Sequence, residues 1–436
     1  MTTTVTAEDN APKVLISQTG RKGDPGTNGT NGDGFNQVRK SLLDNPLCHL
    51  FKTNKLVETS APTSTDADVT WNRSTSATYV DRYGTVKTAA VNTPREEKEG
   101  FLIEGASTNI ARYSEQFDNA AWLKIGGLTV TADATISPSG LSTADLLSGS
   151  VGAVYTDQYI PTAGTGETIT ASVFLKQVDT LTTSVDTFFI GGTTKPNYFL
   201  FEWSTLSVLY GEGSVTAVGN GWVRVDTQNV DNNSGNTNFI LRLSPSSATA
   251  TTAGSVYAWG AQAELSPFAS SYIPTVASSV TRTADRVSLV GFNNSALLSS
   301  ANTISLTSSV IGLNSIFNQN IFTADANSTV NRSMSYWSGS STNVINYISG
   351  INYDIPIVNK NIEYNLVSVF TGSEAVRYVD GNLVNSTTAT YTGPDTAVII
   401  YIGCDSAGNF NLFGHIKDFR FYDFALNANE AEYLSA

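Results

Sequence analysis

The chain contains two histidines, His49 and His415, so acid–base or nucleophilic catalysis has few candidate residues. His49 follows Cys48, which would suit a Cys–His pair, but adjacent side chains on a strand or helix do not face each other. No Gly-x-Ser-x-Gly motif supplies a nucleophilic serine. We therefore predict no enzymatic activity and interpret His415 as a packed strand residue.

Oxygen-bearing side chains offer two further kinds of chemistry. The densest acidic group comprises Glu96, Glu97, Glu99 and Glu104, and paired carboxylates can hydrolyse glycosidic bonds. Four loop residues could ligate Ca²⁺ through their oxygen atoms, namely Asp325, Asn327, Asp405 and Asn409. The simpler interpretation of the acidic group is a solvated loop, and that of the four possible Ca²⁺ ligands is ordinary polar turns. We predict no cofactor and leave Ca²⁺ open.

Aromatic residues could bind sugars, because a ring face stacks on a sugar while nearby polar groups bond its hydroxyls. The chain has 18 tyrosines and six tryptophans. Tyr336, Trp337 and Tyr353 lie near loops rich in Ser and Asn, so they are the predicted glycan-binding residues, with ordinary packing as the alternative. Trp222 and Trp259 are expected to be buried.

Glycine recurs at every third position near the start of the chain, at Gly20, Gly23, Gly26, Gly29 and Gly32. Three polyproline-II chains can wind together only when the residue on the crowded axis has no side chain. The spacing therefore predicts a collagen-like stalk and a homotrimer. A flexible linker of Gly, Asn and Thr is the alternative.

Composition narrows the choice of partner and compartment. The net charge is −13 and charged residues make up 14%, which argues against nucleic acid, whose phosphates require a basic patch. Residues 1–16 do not resemble a signal peptide, and no run approaches a membrane span. We expect assembly in a host cytoplasm, a place in a virion and a partner that is a protein or a neutral glycan.

Periodicity predicts a mainly β protein of five segments. These are an attachment peptide over 1–19, the glycine-triplet stalk over 20–34, a helical neck or linker over 35–65, and β-sandwich or jelly-roll units over 66–290 and 291–436. Asp380-Gly381 predicts a type I′ hairpin turn. Asn427–Leu434 predicts one short helix with Asn427 as its cap and Glu430 three residues later.

Several motifs in order resemble a module of tailed-phage fibre and appendage proteins. They occur between about Asp66 and Val290 and comprise Gly100 to Asn109, Tyr113 to Phe117, Trp122, Gly221 to Val225, Ala258 to Glu264 and Ser271 to Thr275. The resemblance implies a jelly roll similar to carbohydrate-binding modules.

The segment from about Ser299 to Ala436 resembles the concanavalin-like, laminin-G-like lectin sandwich. The matching motifs are Val379 to Leu383, Gly414 to Leu426 and Asn427 to Leu434. The resemblance specifies the fold but not the ligand, and the hydrolase pattern Glu-x-Asp-x-x-Glu is absent.

Together the resemblances imply a phage fibre that adheres to host surface glycans and is mounted on a tail or capsid protein through its N-terminus. The rivals are a capsid fibre or decoration protein without a specific receptor, and a glycan depolymerase.

Overall fold

The computed structural model describes residues 48–50, 57–59, 68–246, 253–290, 301–310, 318–325, 333–337, 343–348, 351–356, 362–388, 399–405, 407–422 and 424–436. Strands dominate these residues, and the fold is mainly β. Among the described residues, no helix has both the length and the apolar character needed to cross a bilayer.

The strands fall into three consecutive groups along the chain. The first group is β1 Cys48–Leu50, β2 Val57–Thr59, β3 Asp68–Asn72, β4 Ala77–Val80, β5 Val86–Ala89, β6 Glu96–Glu97, β7 Gly100–Ile103 and β8 Ser107–Asn109. The second group is β9 Leu123–Ile125, β10 Thr129–Ile136, β11 Ser142–Gly149, β12 Tyr155–Pro161, β13 Thr168–Gln177, β14 Thr182–Ile190, β15 Lys195–Asn197, β16 Leu200–Glu202, β17 Val208–Tyr210, β18 Gly213–Gly219, β19 Trp222–Val230, β20 Asn238–Ser244 and β21 Gly254–Glu264. The third group is β22 Val280–Arg282, β23 Arg286–Val290, β24 Asn302–Val310, β25 Gln319–Asp325, β26 Ser333–Trp337, β27 Asn343–Ile348, β28 Ile351–Pro356, β29 Tyr364–Phe370, β30 Glu374–Val379, β31 Asn382–Thr388, β32 Ile399–Ile402 and β33 Gly414–Tyr422, followed by helix α1 Ala428–Ser435.

Apart from the separate pairs β4–β5 and β8–β22, the first and third groups build one sandwich, which we call the terminal sandwich. Its sheet I has the order β2-β1-β33-β24-β29-β30-β31, with β7 on β33 and β6 on β7. Its sheet II has the order β28-β27-β26-β25-β32-β23-β3. The ring pairs Phe322–Phe419 and Trp71–Phe101, with centroids 5.7 and 6.1 Å apart, join the two sheets.

The second group builds the central sandwich. Sheet III has the order β10-β11-β21-β13-β19-β18, and sheet IV has the order β17-β16-β14-β20-β12-β9 with β15 on β14. Alternate residues of both sheets point inward, so Val173 and Val225 of sheet III meet Phe189 and Leu241 of sheet IV in one fully buried core.

The central sandwich is inserted into the terminal sandwich. All its strands lie between β7 and β23, which both belong to the terminal sandwich. The chain leaves through β8 and returns through β22, and these two strands pair with each other antiparallel. The predicted division into 66–290 and 291–436 therefore cuts through sheets: β3, β7 and β23 precede residue 291 but pair within sheets I and II. Pairing between strands more than 200 residues apart leaves no trace in local periodicity.

A network of buried charges closes the point where the insertion begins and ends. Glu104 directly follows β7 and Asp285 directly precedes β23. Arg95 bonds both carboxylates, with 2.6 Å to Glu104, while Arg73 lies 2.7 Å from Asp285 and Arg282 lies 3.3 Å from Glu104. All five side chains are at most 1% exposed.

The backbone takes part in this network as well. The amide of Glu104 donates to the Asp285 carboxylate at 3.0 Å, and the amide of Asp285 donates to the carbonyl of Glu104 at 2.8 Å. Ser271 lies between β21 and β22, and its amide and hydroxyl donate to the Glu104 carboxylate at 2.8 and 2.7 Å. Burial alone would raise the pKa of Glu104, but Arg282 and Arg95 outweigh burial and hold that pKa well below its usual range.

Several local predictions for the two sandwiches are confirmed. Asp380 and Gly381 both have positive φ, 47° and 75°, as a type I′ turn requires. Asn427 caps α1 by accepting from the Glu430 amide at 3.0 Å, and the Glu430 carboxylate accepts from the Asn427 amide at 2.8 Å. Trp222 and Trp259 are buried.

The structure corrects the prediction for the neck region. Residues 35–65 were predicted as a helical neck or linker that contains His49, but 48–50 and 57–59 are strands. Cys48, His49 and Leu50 pair with Phe421, Arg420 and Phe419 of β33. The edge of β33 offers unpaired backbone groups, and satisfying them outweighs a weak local helical preference. The attachment peptide over 1–19, the stalk over 20–34 and the rest of the neck region over 35–65 lie outside the described residues.

Replacing Glu104 by Gln tests the buried charge network. The change leaves Arg95 and Arg282 buried without their common counter-charge, so we expect unfolding free energy to fall by about 3–5 kcal/mol. Urea denaturation followed by tryptophan fluorescence measures this loss. The matched control is Glu96→Gln, which breaks the exposed Arg82–Glu96 pair and is expected to cost less than about 1 kcal/mol. Equal losses in the two variants would contradict the assignment.

Candidate functional site

The outer surface of sheet IV carries a group of aromatic and charged side chains that the core does not use. We call it the Arg242 face, and it consists of Tyr155, Asp157, Tyr159, Asp186, Phe188, Tyr198 and Arg242. These residues come from the neighbouring strands β12, β20 and β14 and from the segment before β16.

Strand register places these side chains side by side. Arg242 of β20 is directly opposite Asp157 of β12 and Asp186 of β14. One row away, Ile240 is opposite Tyr159 and Phe188. Side chains two residues apart on a strand share a face, so both rows project from the same side of the sheet. Two strand spacings, about 10 Å, separate the backbones of β12 and β14.

Arg242 is held rigidly between rings and a carboxylate. Its Nε and Nη2 donate to the two oxygens of Asp157, each at 2.8 Å. Its guanidinium carbon lies 3.5 Å from the ring centroid of Tyr155 and 4.8 Å from that of Phe188. Burial alone would lower the pKa of Arg242, but Asp157 outweighs it and raises that pKa. The Arg242 side chain keeps 18% exposure, so a charged donor remains open to solvent.

Asp186 is the buried acid of the face. It accepts bonds from the Ser184 hydroxyl and from the Phe199 amide, the latter at 3.0 Å. Burial raises the pKa of Asp186 to about 6, and this effect prevails over those two hydrogen bonds and over Arg242.

Two tyrosines complete the face toward solvent. Tyr159 is 42% exposed and Tyr198 is 48% exposed. The Tyr198 ring packs edge-on against Phe188, with centroids 5.4 Å apart. Flat apolar rings beside a fixed guanidinium and carboxylate are the combination that binds sugars, whose C–H faces stack on rings and whose hydroxyls bond charged groups.

The residues predicted from sequence to bind glycan lie elsewhere, in sheet II. Tyr336 and Trp337 are on β26, opposite Ile345 and Val344 of β27. Tyr353 is on β28, opposite Asn346. They are therefore on two strands with one strand between them, and their role in binding stays a prediction. The glycines predicted for trimerisation, Gly20 to Gly32, lie outside the described residues.

The sequence-predicted Ca²⁺ ligands include one loop that the structure describes in detail. Asp405 accepts from the amides of Ala407 and Asn409 at 3.0 and 2.6 Å, so one of its carboxylate oxygens is used to close its own turn. Asp325 ends β25, and Asn327 lies outside the described residues.

Three further titratable groups, none of them part of the Arg242 face, are constrained by their surroundings. Burial raises the pKa of the Cys404 thiol to about 12, so it stays protonated. Glu104, the last of the four acidic residues noted in the sequence, is held ionised by Arg95 and Arg282 and has no proton to donate. His415 is buried in β33, as predicted, and its Nε2 lies 2.8 Å from Glu97.

Sequence reasoning missed the Arg242 face because it predicted no strand over β12 or β14. A usable signal was present: Tyr155, Asp157 and Tyr159 alternate in a way that puts all three on one face of a strand. Their partner Arg242 is 83 residues beyond Tyr159, and only sheet pairing brings it close.

Comparison with known families gives one match. Residues 290–432 match the Laminin_G_3 family, described as the Concanavalin A-like lectin/glucanases superfamily. The matched segment supplies most of the terminal sandwich, while β1, β2, β3, β6, β7 and nearly all of β23 lie outside it. A search of curated proteins finds no match.

Several solved structures are similar over about a third of the chain. One is the Ruminococcus gnavus IT-sialidase CBM40, at 14% identity and a TM-score of 0.29, covering 34% of this chain and 88% of that one. Another is the heptameric SAP-like pentraxin from Limulus polyphemus, at 17% identity and 0.26, covering 32% and 70%. A third is the botulinum neurotoxin type G receptor binding domain, at 15% and 0.27, covering 34% and 39%.

The raised pKa of Asp186 makes a pH-dependent contribution to stability. The native state holds this proton up to about pH 6, whereas the unfolded chain releases it near 3.8. The contribution is therefore fully present below pH 3.8 and is lost as pH rises through 6. Asp186→Asn keeps both hydrogen-bond acceptor roles, and we expect it to raise unfolding free energy at pH 7.5 by on the order of 2 kcal/mol.

The measurement is urea denaturation between pH 4 and pH 7.5. Burial also raises the pKa of Asp145 to about 6, so Asp145 contributes a similar decline in stability with rising pH. The decline over this range should therefore be smaller in Asp186→Asn than in the wild type, but not absent. The matched control is Asp179→Asn, an exposed residue whose amide oxygen can still accept from the Ser255 amide. Its stability should decline with pH as that of the wild type does. An undiminished decline in Asp186→Asn would contradict the assignment.

Proposed function

We propose that this protein is a glycan-binding adhesion protein and that the Arg242 face of the central sandwich is a sugar site. The observation that carries the proposal is Arg242 itself, fixed between Tyr155 and Phe188 and bonded to Asp157 beside two exposed tyrosines. The match of residues 290–432 to a superfamily of lectins and glucanases supports a second carbohydrate-binding unit in the terminal sandwich.

A neutral or weakly charged oligosaccharide fits this face better than a strongly charged polymer. The guanidinium of Arg242 is already neutralised by Asp157, and the chain as a whole carries a net charge of −13. A polyanion would meet repulsion without a compensating basic patch.

We further propose that the chain is a phage virion fibre whose copies assemble as a homotrimer. The five glycines from Gly20 to Gly32 support this, because their spacing permits a three-chain stalk. Residues 1–19 would attach the fibre to a tail or capsid protein. Three copies would turn weak sites into strong adhesion through effective concentration.

Two rivals are distinguished by simple assays. A capsid decoration protein without a receptor would form intact trimers yet bind no glycan and no host cell. A depolymerase would release reducing ends from host polysaccharide.

Truncating the exposed rings tests the sugar site. We expect Tyr159→Ala and Tyr198→Ala each to weaken glycan binding by about three- to tenfold, the usual value of one aromatic contact. A glycan array identifies the ligand, and calorimetry then measures its affinity for each variant. The control is Tyr83→Ala, which removes a ring that is 77% exposed in the β4–β5 turn. Unchanged affinity in both face variants would refute the sugar site. Binding of a protein instead of a sugar would also refute it and would identify the Arg242 face as a protein-binding surface.

Light scattering of the full chain tests the assembly. We expect three times the chain mass of 46.4 kDa. Gly26→Ala places a side chain on the crowded axis and should lower the temperature at which trimers dissociate, whereas the control Asn28→Ala should not. A monomer at micromolar concentration would contradict the trimer.

A further inference from the structure

Three potential metal-binding side chains meet at the edge of sheet I, away from the Arg242 face. Glu97, Glu99 and His415 each offer one ligand atom, and these atoms all lie within 4.8 Å of one another. His415 is buried, Glu97 is partly buried and Glu99 is exposed, so the group opens to solvent on one side.

Local structure fixes the two glutamates against β33. Glu97 pairs with Gly100 across a two-residue turn that contains Glu99. β7 continues from this turn and pairs with β33, where Leu102 is opposite His415. The turn lies so close to β33 that a Cβ added at Gly100, where φ is +128°, would be 2.8 Å from the carbonyl oxygen of Ile416. Only glycine allows this approach.

Hydrogen bonds orient two of the three donors toward a common point. The Val80 amide donates to Oε1 of Glu97 at 2.7 Å, and Oε2 of the same carboxylate faces Nε2 of His415 at 2.8 Å. Nδ1 of His415 lies 3.5 Å from the Ser309 hydroxyl. A hydrogen-bond partner on the second ring nitrogen is the usual companion of a metal-binding histidine, because it holds the ring proton on Nδ1. The ion would then replace the proton shared by Nε2 and Glu97, and that proton would be released to water.

The nearest described cation on the same strand does not neutralise this group. Lys417 follows His415 by two residues, and its Nζ lies 3.0 Å from both carboxylate oxygens of Glu363. Two carboxylates therefore face an imidazole, and a divalent cation would balance their charge.

We propose that Glu97, Glu99 and His415 form a binding site for a divalent transition-metal ion such as Zn²⁺. Metal–ligand distances of about 2.0–2.2 Å need donor atoms about 3–3.5 Å apart, so the exposed Glu99 side chain would move toward the other two ligands when the ion binds. One imidazole nitrogen among the ligands favours such an ion over Ca²⁺ and Mg²⁺, which prefer oxygen ligands alone. The bound ion would fasten the β6–β7 turn to β33, next to the start of the inserted sandwich.

The test uses the untagged full chain, metal-free, with its histidines labelled at carbon Cε1. With only two histidines in the chain, the signal of His415 is assigned by its loss in His415→Gln. Zn²⁺ should shift that signal and saturate at one ion per chain, and calorimetry should give the same stoichiometry. Ca²⁺ and Mg²⁺ at the same concentration should leave the signal in place.

Matched variants separate the site from general surface charge. Glu99→Gln removes an exposed donor without disturbing the buried parts, and we expect its Zn²⁺ affinity to fall by at least about tenfold. Glu96→Gln and His49→Gln should bind as the wild type does. The proposal is overturned if Zn²⁺ leaves the His415 signal unchanged, if Ca²⁺ shifts it equally, or if Glu99→Gln and Glu96→Gln weaken binding alike.

Discussion

The arrangement of the whole molecule depends on the buried ion network at the base of the insertion. A carboxylate or guanidinium removed from water costs several kcal/mol unless it is paired and hydrogen-bonded. Glu104 and Asp285 meet this requirement only when the outgoing and returning segments lie together with Arg73, Arg95 and Arg282 around them. The same network includes Ser271, which lies between β21 and β22. It therefore links the central sandwich to the terminal sandwich and also holds the two ends of the insertion together.

Local structure was largely predictable because local physics determines it. The type I′ turn at Asp380-Gly381 and the capping box of α1 each depend on residues within a few positions of one another, and both formed as predicted. Insertion topology was not predictable in this way. The residues of β1 do not identify β33 as its partner, and those of β3 do not identify β23, because backbone hydrogen bonding is the same for every sequence.

Candidate sites were harder to predict than strands for a related reason. Tyr336, Trp337 and Tyr353 were chosen for residue type and for polar neighbours, which are local properties. The Arg242 face depends on register across three strands, and the cluster of Glu97, Glu99 and His415 joins residues more than 300 positions apart. Residue type indicated the kind of chemistry, and sheet pairing determined where that chemistry could occur.

The paired strands β8 and β22 have a mechanical consequence for the proposed adhesive function. Drag on a ligand at the proposed Arg242 site would pass to the rest of the molecule through two chain segments that leave the terminal sandwich side by side. Tension is shared between two covalent tethers instead of being borne by one linker. Both tethers are anchored by the same buried ion network, because Glu104 and Asp285 share Arg95. That network would have to break before either tether could extend.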